Sequence, residues 1–181
     1  MSSNKKLEKI SRYMSYVLRH RFDKDTTNST EIIVDKNGWT SVDILLKSLD
    51  INKEELDWIV ETNDKKRFEY NDDGVLIRAC QGHTVDVDLQ LEEVVPPSYL
   101  FHGTSIENNV IIRLEGIKSM SRNDVHLSID IATAVNVGKR KGNIKILIID
   151  ATAAYNDGVK FRLSTNNVYL TDYIDPKYII S

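Results

Sequence analysis

The sequence predicts an α+β protein in two parts: a helical part closed by a hairpin, then a strand-rich part with few helices. Three observations predict this. Apolar residues recur at helical spacing three times in the first third of the chain, and two β-prone runs around a glycine turn follow them. Next comes "VVPPSYL" (94–100), where two successive prolines cannot enter a helix and force an extended link. Beyond it, short apolar runs of strand length dominate, with one or two helical segments among them. These observations divide the chain into residues 1–95 and 96–181.

In the first part, Leu7, Ile10, Met14, Val17 and Leu18 mark one face of a helix that runs into Arg19-His20-Arg21. "KNGW" (36–39) is a turn, because Asn-Gly readily takes positive φ. Thr40 or Ser41 then caps a helix whose inner face is Val42, Leu45, Leu46 and Leu49. Asn52, with Glu55 three residues on, starts a third helix with a capping box, and Leu56, Ile59 and Val60 face inward. Residues 67–79 read as a hairpin around "NDDG". Three helices and a hairpin suggest a winged-helix-like module.

In the second part, Tyr99-Leu100-Phe101 forms a short strand ending in "HGT". A helix over Asn108–Glu115 stops at Gly116. "VHLS" (125–128) is a strand, and Asp130 caps a helix that ends near Gly138. "IKILIID" (144–150) is a buried strand by its apolar run. "KFRL" (160–163), "VYLT" (168–171) and "KYIIS" (177–181) read as further strands.

Composition excludes several classes. Of 181 residues, 41% are hydrophobic and 28% charged, the balance of an ordinary folded domain with a core. No apolar run is long enough to span a membrane, and the charged start MSSNKKLEKI lacks a signal core. The single cysteine, Cys80, permits neither an internal disulfide nor a cysteine-built zinc site. A cytoplasmic protein is expected. The formal net charge is −3, with 14 Lys and Arg against 19 Asp and Glu in residues 1–96. Any polyanion must therefore be held by a few placed cations and not by a general basic field.

Five short stretches carry candidate chemistry. Arg19 and His20 stand at a helix C-terminus, where cations interact favourably with the dipole; taken alone, that explains them. Arg67 opens a strand, so its guanidinium is better fixed than one on a loop and can grip a phosphate with two parallel hydrogen bonds. In "QGHTVDV" (81–87), Gly82 permits a tight path that leaves Gln81 and His83 exposed. In "FHGTS" (101–105), Gly103 lets a ligand approach the backbone between His102 and the Thr104 hydroxyl. Arg122 precedes a strand on which Asp124, His126 and Ser128 share one face. The four histidines are scattered without metal-ligand spacing, so no metal site is expected, and there is neither a phosphate-binding Walker loop nor a G-x-S-x-G elbow.

Each stretch alone is weak, but their order is specific. "LEKISRYMSYVLRH", "DKNGWTSVDILL", "DKKRFEY", "IRACQGHT", "LFHGTS", "LEGIKSMSRNDVHLS" and "AVNVGKRKGN" follow one another in the order and spacing of one family. The chain resembles the NAD-dependent RNA (tRNA) 2′-phosphotransferases from about residue 7 to the last strands. The resemblance implies a winged-helix-like RNA-phosphate lobe over residues 1–95 and an ADP-ribosyltransferase-type NAD-binding lobe over 96–181. It implies transfer of an internal RNA 2′-phosphate to NAD, a step of tRNA splicing. The products would be RNA 2′-OH, nicotinamide and ADP-ribose 1″,2″-cyclic phosphate, formed through an ADP-ribosylated RNA phosphate.

The family's Arg-His-Arg-Arg set falls on Arg19, His20, Arg67 and Arg122, which would hold phosphate oxygens and exchange a proton without a divalent metal. His102, Gly103 and Thr104 match its NAD-binding loop, and His126 and Ser128 would line the same cleft. Arg21 matches nothing and reads as a solvated cation. Two positions depart from the pattern. Asp124 stands where the family more often has histidine or an aromatic residue, and a carboxylate there repels phosphate unless it points away or pairs with an arginine. Lys141 replaces a common histidine. The expected partners are NAD and a tRNA-like RNA with an internal 2′-phosphate, acted on by a monomer with no membrane partner. Two alternatives remain: an ADP-ribosyltransferase acting on nucleic-acid ends or on protein, and a non-enzymatic winged-helix nucleic-acid binder, against which the acidic first part speaks.

Overall fold

The first helix, α1 (Ser3–His20), shows how the local code works. It contains no proline or glycine, and Leu7, Met14, Val17 and Leu18 fall on one side, where all four are buried. The computed structural model describes residues 3–20, 32–139 and 143–180. Arg21, Lys141 and the last residue of "KYIIS" lie outside the described residues. The chain divides into two compact units, Met1–Gln90 and Leu91–Ser181.

In the first unit, Asp35 organises the "KNGW" turn. Its Oδ1 accepts hydrogen bonds from the backbone N–H groups of Asn37 and Trp39. β1 (Thr40–Ser41) leads into α2 (Val42–Leu49), and Ser41 is the residue that caps it. α3 (Lys53–Glu61) carries the expected capping box between Asn52 and Glu55. β2 (Phe68–Tyr70) and β3 (Leu76–Ala79) form the antiparallel hairpin, with Phe68 opposite Ala79 and Tyr70 opposite Ile77. β1 pairs with the other edge of β3, giving the order β1-β3-β2. Met14, Leu18, Leu45, Leu56, Ile59 and Ile77 form the centre of the core, almost fully buried. Each contributes ~1.5–3 kcal/mol relative to exposure.

The second unit begins with β4 (Tyr99–Ser105), then α4 (Ile106–Glu115), β5 (Ile117–Lys118), β6 (Val125–Ser128), α5 (Ile131–Gly138) and β7 (Ile144–Asp150). It ends with α6 (Ala151–Asn156), β8 (Arg162–Leu163), β9 (Val168–Thr171), β10 (Tyr173–Ile174) and a 3₁₀ turn, Pro176–Tyr178. Five strands form one sheet in the order β7-β4-β6-β9-β8, while β5 pairs with β10. Every named strand pair among the described residues is antiparallel, and the helices follow or flank the sheets, an α+β arrangement. Leu100, Leu127, Leu147, Ile149 and Phe161 anchor its core.

Four differences from the sequence reading have local causes. β4 does not stop at Phe101 but runs through "HGTS", because it pairs with β7 over seven consecutive residues. β7 is not buried on both faces: Leu147 and Ile149 enter the core while Ile146 and Ile148 are half-buried. "KYIIS" is not a strand. Pro176 cannot donate to a ladder, Asp175 caps a 3₁₀ turn, and only Ile179 bridges to Ile149. Three helices stand among the described residues of this unit instead of one or two. The additional one, α6, starts where Asp150 at the end of β7 accepts from the Ala153 backbone N–H. No helix among the described residues is long and apolar enough to cross a membrane.

Candidate functional site

The last turn of α1 delivers Arg19 and His20, and one short segment after β3 receives them. Thr84 donates its backbone N–H to the Arg19 carbonyl at 2.9 Å. Its Oγ1 lies 3.0 Å from His20 Nδ1. Gly82 lies flat against the Arg19 side chain: a Cβ added there would stand 3.6 Å from the guanidinium carbon, and its φ of +89° favours glycine. The same segment reaches Arg67, whose carbonyl accepts from the Cys80 backbone N–H at 2.9 Å. Residues 80–84 therefore tie together the backbones that carry Arg19, His20 and Arg67.

Arg67 stands one residue before β2, and Asn63 fixes it. Asn63 Oδ1 accepts from Arg67 Nη1 at 2.9 Å and from the Arg67 backbone N–H at 3.3 Å. The Asn63 amide donates to Ser11 Oγ on α1 at 3.2 Å. Asp64 adds an ion pair at 3.3 Å, but its carboxylate is largely exposed, so this contact is weak. Arg67 is thus oriented mainly by a neutral amide, which leaves its charge uncompensated by that contact.

His83 is not the exposed polar residue expected from "QGHT". It is 2% exposed, with its ring beside Gly38 and near Arg78. Burial pushes its imidazole pKa down to about 4, and the positive charges of Arg19 and Arg78 act in the same direction. Near neutral pH it is an uncharged ring beneath a cationic cluster. Arg78 itself is structural: it pairs with Glu69 at 2.6 Å and lies over the Trp39 ring at 4.2 Å.

The second unit carries the remaining candidates. His102 Nδ1 donates to the His126 carbonyl, and His126 Nδ1 donates to the Asp124 carbonyl, each at 3.0 Å. A carbonyl can only accept, so both rings hold a proton on Nδ1. Along β6, Val125 and Leu127 point to the core while His126 and Ser128 share the opposite face, as their two-residue spacing predicts. Ser128 is the partner of Phe101 across the β4–β6 pair.

His126 Nε2 is buried, and Thr104 is 1% exposed, so the half-buried His102 is the more accessible group. The space beside Gly103 is occupied by α5. A Cβ on Gly103 would fall 2.2 Å from the Ala134 carbonyl oxygen. Glycine is thus required there by helix–strand packing. Arg122 is exposed, in the turn before β6, with its backbone N–H donating to the Ser119 carbonyl. Asp124 pairs with Arg162 at 3.0 Å, which answers the question its carboxylate raised.

Both groups of residues fall within the reach of one family model. The model described as RNA 2'-phosphotransferase, Tpt1 / KptA family, matches residues 5–173. The chain belongs to that family. Three relatives, each named probable RNA 2'-phosphotransferase, show how closely. The protein from Flavobacterium johnsoniae is 48% identical, covering 94% of this chain and 93% of its own. That from Fusobacterium nucleatum is 44% identical, over 94% of this chain and 96% of its own. That from Nostoc punctiforme is 43% identical, over 98% of each. Such coverage means the Tpt1 / KptA match spans both units.

Sequence reasoning missed two residues that brace these candidates, Asn63 and Thr84. Asn63 precedes "DKKR" immediately, and a polar side chain just after a helix end was a usable signal. Thr84 closes the motif "IRACQGHT", but the motif does not show what its hydroxyl meets, because its partners lie more than sixty residues away in the chain.

Proposed function

We propose that this protein transfers an internal RNA 2′-phosphate to NAD. In the first step a 2′-phosphate oxygen attacks the NAD ribose carbon that bears nicotinamide, and nicotinamide leaves. In the second, the 2″-hydroxyl of that ribose attacks phosphorus. The RNA 2′-oxygen leaves and is protonated, and the other product is ADP-ribose 1″,2″-cyclic phosphate. The first unit acts as a winged-helix-like RNA-phosphate lobe and the second as an ADP-ribosyltransferase-type NAD-binding lobe.

Family membership over nearly the whole chain supports this reading, and one structural observation carries it. Two arginines and a histidine, the residues a phosphate needs, are braced by a single segment, residues 80–84. Arg19, Arg67 and Arg122 hold non-bridging oxygens, and their charge stabilises the transferring phosphoryl group without a divalent ion. His20 exchanges a proton at the phosphate or the departing 2′-oxygen. His102 offers Nε2 to NAD while its Nδ1–H is held by the His126 carbonyl, and Ser128 adds a hydroxyl on the same strand face as His126.

The test is a product analysis with NAD, EDTA and a short RNA bearing one internal 2′-phosphate. Loss of the phosphate with release of nicotinamide and the cyclic phosphate is expected. A stable ADP-ribosylated RNA with no cyclic phosphate would assign an ADP-ribosyltransferase instead. Untouched NAD beside tight RNA binding would assign a binding protein.

A further inference from the structure

We infer that Thr84 is a positioning residue for His20, fixing which ring nitrogen faces the substrate. The inference rests on the reaction proposed above, in which His20 moves a proton. The Thr84 hydroxyl has one proton and two nearby partners. Its Oγ1 is 3.0 Å from His20 Nδ1 and 3.5 Å from the Arg19 carbonyl. The carbonyl only accepts, so the one arrangement that uses both contacts directs the hydroxyl proton to it and leaves the oxygen to accept from His20 Nδ1–H. The proton of neutral His20 is thereby held on Nδ1, and Nε2 becomes the nitrogen that gives or takes a proton.

Thr84 is itself held in place. Its backbone N–H donates to the same Arg19 carbonyl at 2.9 Å, and its segment is anchored at the other end by Cys80 on the Arg67 carbonyl at 2.9 Å. The ring it positions is exposed at the end of α1, tilted against Tyr16 with ring centroids 5.8 Å apart, and the bond at Nδ1 selects its orientation there. A histidine whose tautomer and orientation are set by its second nitrogen is a recurrent device of acid–base sites. Here the orienting group is a neutral hydroxyl. It fixes the tautomer without adding negative charge where a phosphate must bind.

Thr84→Val and Thr84→Ser separate this role from folding, because valine keeps the shape and removes the hydroxyl. With NAD and the 2′-phosphorylated RNA, Thr84→Val is expected to lower kcat about tenfold, the effect of one hydrogen bond, with KM for both substrates nearly unchanged. Thr84→Ser is expected to restore kcat. In ¹⁵N-labelled full-length protein, the His20 ring is expected to carry its neutral-state proton on Nδ1 in wild type and Thr84→Ser. It should shift toward the Nε2–H form in Thr84→Val. An unchanged kcat in Thr84→Val, or ring-nitrogen signals identical to wild type, would overturn the inference. If the wild type does not turn over this RNA, the proposed function fails by itself. The ring-nitrogen measurement then still decides whether Thr84 sets the state of His20.

Discussion

Asp124 Oδ1 accepts from Arg162 Nη2 at 3.0 Å, and this pair is what allows a carboxylate to sit two residues from Arg122. Arg162 also bonds Asp172, whose carboxylate is mostly in solvent. Burial raises the Asp124 pKa above the usual carboxylate value, while Arg162 pulls it back. A raised folded-state pKa means that ionised Asp124 opposes folding, and that the penalty fades as pH falls through that pKa. Arg162→Met should therefore cost ~2 kcal/mol at neutral pH, by leaving a partly buried charge unpaired. Urea unfolding at pH 7.5 and at pH 5 should show the loss shrinking in acid, and adding Asp124→Asn should recover most of it.

His83 makes the opposite kind of contribution. Its folded pKa of about 4 lies below the ordinary value of 6.5, so the unfolded chain binds the proton more readily. Stability is fully present above pH 6.5 and is lost as pH falls toward 4, by ~3 kcal/mol in all. His83→Gln should flatten that part of the stability profile, measured by denaturant midpoints every half pH unit. A profile identical to wild type would mean His83 is protonated as easily in the folded state.

Gly103→Ala should act through packing. The new methyl would meet the Ala134 carbonyl at 2.2 Å, and the obstacle is backbone, so α5 must move away from β4. A loss of ~3 kcal/mol is expected in denaturant unfolding. Full stability with lost NAD binding would instead assign Gly103 to ligand approach, as the sequence alone had implied.

The proposed reaction makes its own demands on Arg122 and His20. Arg122→Ala should slow the second step by about 100-fold or more and accumulate ADP-ribosylated RNA, visible on a denaturing gel. His20→Ala should lose on the order of 10²–10⁴-fold in rate with an unchanged melting temperature, since the ring is exposed and supports no core. An Arg122→Ala enzyme as active as wild type would remove Arg122 from the site.

The elements were legible where neighbours in sequence decide them. The Asn52–Glu55 capping box, the Asp130 cap, the hairpin of β2 and β3 and the alternation on β6 all depend on residues within a few positions of one another. The two-residue strands β5 and β10 were not legible, because no period can be read from so short a run.

The sequence by itself determined the α+β class, the helix faces that form the first core and the ordered motifs that place the chain in its family. Tertiary structure decided the rest: that His83 is buried and neutral, that Gly103 answers to α5, that Asp124 is matched by Arg162, and that Thr84 meets His20. Each rests on a contact between residues about thirty to more than sixty positions apart in the chain. Local propensity carries no information about such contacts. They exist only once packing has brought the distant backbones together.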